Sequence, residues 1–353
     1  MALQKVPGRA IQLDSQVSSD IMYHNGTDWV RLAKGEAGQV LVVNDAGTFP
    51  QWGTSDWVYR GSTRGFSIGG ANHHDQPGGG GTGVWYYFSD IYSHEFATDG
   101  NAVDTTGDLV AANHGCSGFS SETHSFVAGG AQSQNVIQSF QNTNPGGNAT
   151  DLADLTTNHP RITPVSSLTH GYGVSGAGAN IEKFAFANTA NATLVGNLSN
   201  SHTGTHGGGA TDSTNDYGYA AGGFPNTNVI DRFSFVNETT TDDVGDLVLT
   251  SGQASGCSSE THGYFIGPGN PSRVQRYAFA SSGNATQVAT LSSNGTARGN
   301  GISSQTHGYL VGGEVHFTQI DKFSFANETT WNDVGDLGTG QTTNRSHHGS
   351  SHF

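Results

Sequence analysis

The chain has 353 residues, only 12% of them charged, and its 14 Lys and Arg against 29 Asp and Glu leave a net charge of −15. No basic run is present, which argues against nucleic acid, whose phosphates demand clustered cations, and against long-range attraction to an anionic membrane. No stretch approaches the roughly 20 consecutive apolar residues that span a bilayer. The opening residues Met1-Ala2-Leu3-Gln4-Lys5-Val6-Pro7 hold no apolar signal-peptide core, so a soluble protein made in the cytoplasm is expected. With 52 Gly and 10% aromatic residues in a regular apolar pattern, and no long helical pattern, the composition points to many short strands joined by tight turns.

Residues 1–55 carry no repeat and form the first expected domain. Ile21-Met22-Tyr23-His24 and Trp29-Val30-Arg31-Leu32 flank Asn25-Gly26, a hairpin signal. The chain continues through Gly35, Gly38-Gln39-Val40-Leu41, Asn44, Gly47 and Pro50-Gln51-Trp52. At this spacing residues 19–53 resemble a short module that recurs in phage tail fibres. The resemblance implies a virion protein, homotrimeric through this module and attached to other tail proteins by residues 1–55. So short a module cannot bury a stable core alone. It should pack on identical copies or on another protein, with Tyr23, Trp29, Leu41 and Trp52 as oligomerisation or attachment candidates.

From residue 56 onward one unit recurs. Its clearest copies are Thr123-His124-Ser125-Phe126-Val127-Ala128-Gly129-Gly130, Thr169-His170-Gly171-Tyr172, Tyr217-Gly218-Tyr219 before Gly222-Gly223, Thr261-His262-Gly263-Tyr264 and Thr306-His307-Gly308-Tyr309-Leu310-Val311-Gly312-Gly313; Thr63-Arg64-Gly65-Phe66 is a divergent first copy. The aligned positions 64, 124, 170, 217, 262 and 307 are spaced by 60, 46, 47, 45 and 45, which makes six units with an insertion in the first. Each reads as four strands: a polar one ending in Ser-Ser, the His-Gly-Tyr strand, one with aromatics two apart (Phe184/Phe186, Phe233/Phe235, Tyr277/Phe279, Phe323/Phe325), and one ending in Gly-Asp-Leu. Spacing of two puts both aromatics on one face, and units this short must be covered by their neighbours. Four strands per unit of this length predict an all-β chain whose residues 56–353 form a six-bladed β-propeller.

The Gly-Gly after an aromatic-apolar strand resembles the kelch repeat, as does Trp331 six residues after Phe325 in the last unit; the other units lack that Trp. Residues 344–353 read as a leftover first strand, expected to pair with 63–70 and complete blade one. Cys116 and Cys257 are expected on the inner strands of opposite blades, too far apart for the roughly 7 Å that a disulfide allows between Cα atoms.

His124, His170, His262 and His307 share one repeat position, so a common strand role is expected rather than ligation. His73, His74, His347, His348 and His352 are better metal candidates, yet no carboxylate or Cys completes a set, and neither metal nor cofactor is expected. Recurring Asn-x-Thr triplets such as 148–150, 191–193, 237–239, 284–286 and 327–329 suit turns before the fourth strand. No nucleophile elbow, zinc-protease or phosphate-loop motif is present, so no catalytic residue is assigned and no enzyme is expected. The insertion 71–89, with Trp85-Tyr86-Tyr87, is either a binding loop or an extra packed strand. His73, His74, Trp85, Tyr86 and Tyr87 are the receptor-contact candidates, since Trp and Tyr suit stacking on sugars or anchoring a protein. The reading is a tail-fibre adhesin in a virion, with a host cell-surface glycan or protein as partner and no nucleic acid or membrane insertion. A purely structural virion protein and, more weakly, a glycan-cleaving enzyme are the alternatives.

Overall fold

The computed structural model describes residues 17–18, 20–35, 39–43, 48–54, 62–74, 84–130, 135–159, 162–174, 179–199, 207–223, 226–239, 241–267, 273–291, 299–313, 318–337 and 349–350. The chain divides into two compact units, Met1–Val58 and Tyr59–Phe353. In the first unit β1 (Ile21–His24) pairs with β2 (Trp29–Leu32), and β3 (Gln39–Val43) pairs with β4 (Pro50–Thr54), both antiparallel. The first hairpin turns through four residues, Asn25–Asp28, because the Asn25 side-chain oxygen accepts from the Thr27 and Asp28 amides and Gly26 takes φ 100°. Arg31 pairs with Asp20 at 2.6 Å, and its hydrogen bond holds that carboxyl down at about 2.

The second unit is a six-bladed β-propeller of antiparallel sheets. Blade one holds β5 (Arg64–Ile68), β6 (Ala71–His74), β7 (Val84–Glu95) and β8 (Val103–Asn113). Blade two is β9 (Ser117–Ser120), β10 (His124–Ala128), β11 (Val136–Gln141) and β12 (Thr150–Asp154); blade three is β13 (Thr163–Ser166), β14 (His170–Val174), β15 (Asn180–Ala185) and β16 (Thr193–Asn197). Blade four is β17 (Gly208–Asp212), β18 (Tyr217–Ala221), β19 (Thr227–Ser234) and β20 (Thr241–Ser251). Blade five is β21 (Ser255–Ser258), β22 (His262–Gly267), β23 (Arg273–Ala278) and β24 (Thr286–Thr290), and blade six is β25 (Asn300–Ser303), β26 (His307–Val311), β27 (Gln319–Ser324) and β28 (Asn327–Asp336). Last comes β29 (Gly349–Ser350), which pairs with β5 as Gly349↔Ile68 and Ser350↔Ser67. The innermost strands β29, β9, β13, β17, β21 and β25 each touch the next around the axis, so the C-terminal strand closes the ring. The expected closure is therefore present, although residues 344–348 and 351–353 lie outside the described residues.

Small residues make the centre. A Cβ on Gly256 would overlap the Gly209 carbonyl, and one on Gly301 would overlap that of Gly256. A hydroxyl girdle then links the inner strands. The Ser120 amide donates to Ser166 Oγ at 3.2 Å, Thr211 to Ser258 Oγ at 2.8 Å and Ser258 to Ser303 Oγ at 2.8 Å. The Gly-Gly signature ends the second strand because both residues need positive φ: 66° and 121° at Gly69-Gly70, 65° and 134° at Gly312-Gly313. Among the described residues the apolar core is six clusters, and each spans two neighbouring blades. Tyr172, Tyr219, Tyr264 and Tyr309 each stack on the second aromatic of the following blade, at 4.9–5.1 Å from Phe235, Phe279, Phe325 and Phe96 respectively. Every blade thus covers its neighbour's face.

Two sequence expectations need correction. The outer strands of blades one and four do not end at Gly-Asp-Leu: β8 and β20 run on to Asn113 and Ser251. Buried Gln138 and Gln275 of the next blade accept the Val110 and Val248 amides and prolong the extended chain. Cys116 lies just before its inner strand, while Cys257 lies on β21. Both are buried and neither is in a disulfide, and burial pushes the Cys257 thiol well up.

Candidate functional site

Antiparallel strands put the Ser-Ser-x-Thr-His turns and the Asn-x-Thr turns on one face of the propeller. The Gly-Gly ends and the crossings to the next blade lie on the opposite face. The insertion of blade one rises from that opposite face as a hairpin. After Gly69-Gly70 the chain resumes as β6, and β6 pairs with the start of β7: Ala71↔Tyr87, Asn72↔Tyr86, His73↔Trp85 and His74↔Val84. All five receptor-contact candidates therefore share one two-stranded ribbon that continues blade one. Residues 75–83 and the side chains of His73, His74 and Trp85 lie outside what the structure describes. Tyr86 is 54% exposed. Tyr87 is half-buried, and its ring stacks on His114 at 4.7 Å and 16°. That contact ties the ribbon to the segment crossing into blade two.

The repeated histidines have one structural role. In each of the four, the imidazole Nδ1 bonds the hydroxyl of the preceding Thr (123, 169, 261, 306) at 2.7–2.9 Å. The backbone amide donates to the Ser three residues earlier (121, 167, 259, 304) at 3.0–3.1 Å. Burial lowers the pKa of His170, His262 and His307, with a nearby Lys or Arg adding to it. Among the described residues no group of three His, Cys, Asp or Glu could hold a metal ion.

The Asn-x-Thr triplets join blades, a role that turn propensity did not reveal. Asn148, Asn191 and Asn284 accept, through Oδ1, the amides of Asp108, Asp154 and Asp246 in the preceding blade. The following Ala donates its amide to the same Asp carbonyl at 2.8 Å. Asn101-Ala102 does this for Asp336, between blades six and one. Into blades four and six the triplet is Asn-Glu-Thr, and the Glu is the link. Glu238 accepts from Tyr172 at 2.9 Å and Lys183 at 2.5 Å. Glu328 accepts from Tyr264 at 2.7 Å and Arg276 at 2.8 Å. The sequence signal was available as a Lys or Arg just before the aromatic pair (Lys183, Arg232, Arg276, Lys322) together with the Glu inside two of the triplets. At the six–one junction Asp99 takes Lys322 at 2.9 and 3.0 Å. Beside that pair is a cavity of about 330 Å³ lined by Asp99, His307, Lys322, Asn327, Thr330 and Asn332, among others.

In the first unit Trp29 and Leu41 are about half exposed. Tyr23 is half-buried and 6.4 Å from Phe49. Trp52 is used internally: its ring covers Gly35, and its Nε1 donates to the Ala33 carbonyl at 2.5 Å. Compared with known proteins, the chain matches no protein-family model and no curated protein.

Proposed function

We propose that the protein is a phage virion appendage that binds a glycan or protein of the bacterial host surface through the aromatic hairpin of blade one. One observation carries this reading. Among the described residues, blade one is the blade that carries an added hairpin, and Trp85-Tyr86-Tyr87 lie on it with Tyr86 exposed. A rigid scaffold bearing an irregular aromatic element is a common plan for recognition. The resemblance of residues 19–53 to tail-fibre modules supports the virion setting. The exposed Trp29, Leu41, Val43 and Phe49 support trimerisation through the first unit, since apolar groups on so small a unit call for cover.

The test is binding of the full chain to a panel of bacterial envelope glycans and proteins. Trp85→Ala and Tyr86→Ala should each weaken binding roughly tenfold or more, as loss of an aromatic anchor does, with melting unchanged. Light scattering should return the mass of three chains. A protein that binds no envelope material but co-assembles with tail proteins would be a structural virion component instead.

A further inference from the structure

Blades two to six place an aromatic ring at the same point of the third strand: Phe140, Phe184, Phe233, Tyr277 and Phe323. In blades three, four and six the ring lies across a glycine of the second strand. A Cβ on Gly171, Gly218 or Gly308 would overlap Phe184, Phe233 or Phe323. In blade one the position is His94, and a Cβ on Gly65 would overlap its imidazole in the same way. His94 is 3% exposed, and neither ring nitrogen has a hydrogen-bond partner. It is packed against Phe96 and, from blade six, against Tyr309, each at 5.5 Å between ring centres.

The site offers nothing to a proton. On blade one, Arg64 and Glu95 flank Gly65 and His94 and pair with each other at 2.7 Å. Asp99 favours the charged imidazole, but it is already engaged by Lys322 of blade six. His307, beside Lys322, has its own pKa lowered by burial, and the buried Tyr309 hydroxyl makes no bond to His94. An imidazolium here would be a buried, unbonded charge. Gly65 and His94 are directly paired where β5 meets β7, and the other edge of β5 holds the closure strand β29.

We propose that His94 is an acid-operated latch on the ring: its protonation opens the junction of blades six and one and frees β29, while the other five junctions stay shut. Burial pulls the His94 pKa from 6.5 to about 4. The unfolded chain therefore binds the proton first as pH falls. Stability from this group is complete above 6.5, is lost between 6.5 and about 4, and levels off below that. Asp321 works the other way, since burial and then Asp333 raise it to about 6 and relieve a penalty over much of the same range. The informative quantity is consequently the difference between the native chain and His94→Phe, which installs the ring the other blades use.

Between pH 7 and pH 4 the folding constant of the native chain should fall roughly 100-fold more than that of His94→Phe. In the native full-length protein, hydrogen exchange corrected for intrinsic rates should show the amides of β5 losing protection by pH 4.5, while those of β18 in blade four keep theirs. Parallel pH profiles for the two proteins would overturn the proposal. So would loss of protection in β18 before β5, a result that needs no variant and decides the matter even if His94→Phe does not fold.

Discussion

The junction between blades five and six and the one between blades six and one use the same parts to different effect. At the first, Tyr264 stacks on Phe325, its hydroxyl donates to Glu328, and Glu328 also takes Arg276. At the second, Tyr309 stacks on Phe96 in the same manner and Lys322 finds an acid, but that acid is Asp99. The Tyr309 hydroxyl bonds no carboxylate, and His94 replaces a phenyl ring. The Ser258-to-Ser303 hydroxyl link of the inner strands has its counterpart elsewhere in the ring, yet the closure rests on two described pairs with β5. Propeller geometry thus repeats faithfully, whereas the polar links that fasten one blade to the next are local choices. Among the described residues, the junction that joins the most distant parts of the sequence lacks the tyrosine-to-carboxylate bond that the junction of blades five and six has.

The largest effect expected is from removing the closure strand. Deleting 344–353 uncovers the edge of β5 along the axis and leaves an unpaired strand edge, a template for aggregation. The truncated protein should lose its cooperative melt or aggregate, as followed by circular dichroism and light scattering; a melt like that of the full chain would mean that β29 does not hold the ring. Next comes Gly301→Ala. The methyl has no room against the Gly256 carbonyl, and both atoms belong to inner strands that cannot withdraw without breaking the Ser258-to-Ser303 link. A cost of about 3 kcal/mol is expected, read by chemical denaturation. A shift under about 1 kcal/mol would show that the inner strands can move apart.

How much of this was legible in the sequence follows the same division. Repetition averages out local ambiguity, so the strand order, the six blades and the closing strand could be read from aligned Gly, His and aromatic positions. The hairpin 71–89 could be located as an insertion, but its register depends on where β6 resumes after Gly69-Gly70, which spacing does not specify. The blade-to-blade links were not read. Asn148 and Glu238 occupy turns whose sequences suit turns by themselves, and their partners lie in other units, 40 and 66 residues from Asp108 and Tyr172. Local propensity contains no information on such pairs, whereas comparison of the six copies does. His94 stands in the sequence where the other five blades have Phe or Tyr, a signal that alignment of the copies carries and ligand spacing does not. The bond from the Trp52 indole to the Ala33 carbonyl was not legible either, because a module resemblance carries no information on such contacts.

The smallest effects separate the two junctions most sharply. Tyr264→Phe removes a donor from Glu328, a carboxylate held mostly out of water, and should cost about 2 kcal/mol, as charge-assisted bonds do. Tyr309→Phe removes a hydroxyl that is buried and bonds no carboxylate, so the same chemical change should be neutral or stabilising by about 1 kcal/mol. The opposite signs at equivalent positions are what the difference in fastening requires. Asp99→Glu supplies the acid length found in blades four and six, so it should bring a carboxylate within reach of Tyr309 while keeping Lys322. In that background Tyr309→Phe should become destabilising, and a double-mutant cycle on denaturation midpoints measures the change. If Tyr309→Phe costs as much as Tyr264→Phe in the native chain, the six–one junction is fastened like the others and the contrast fails.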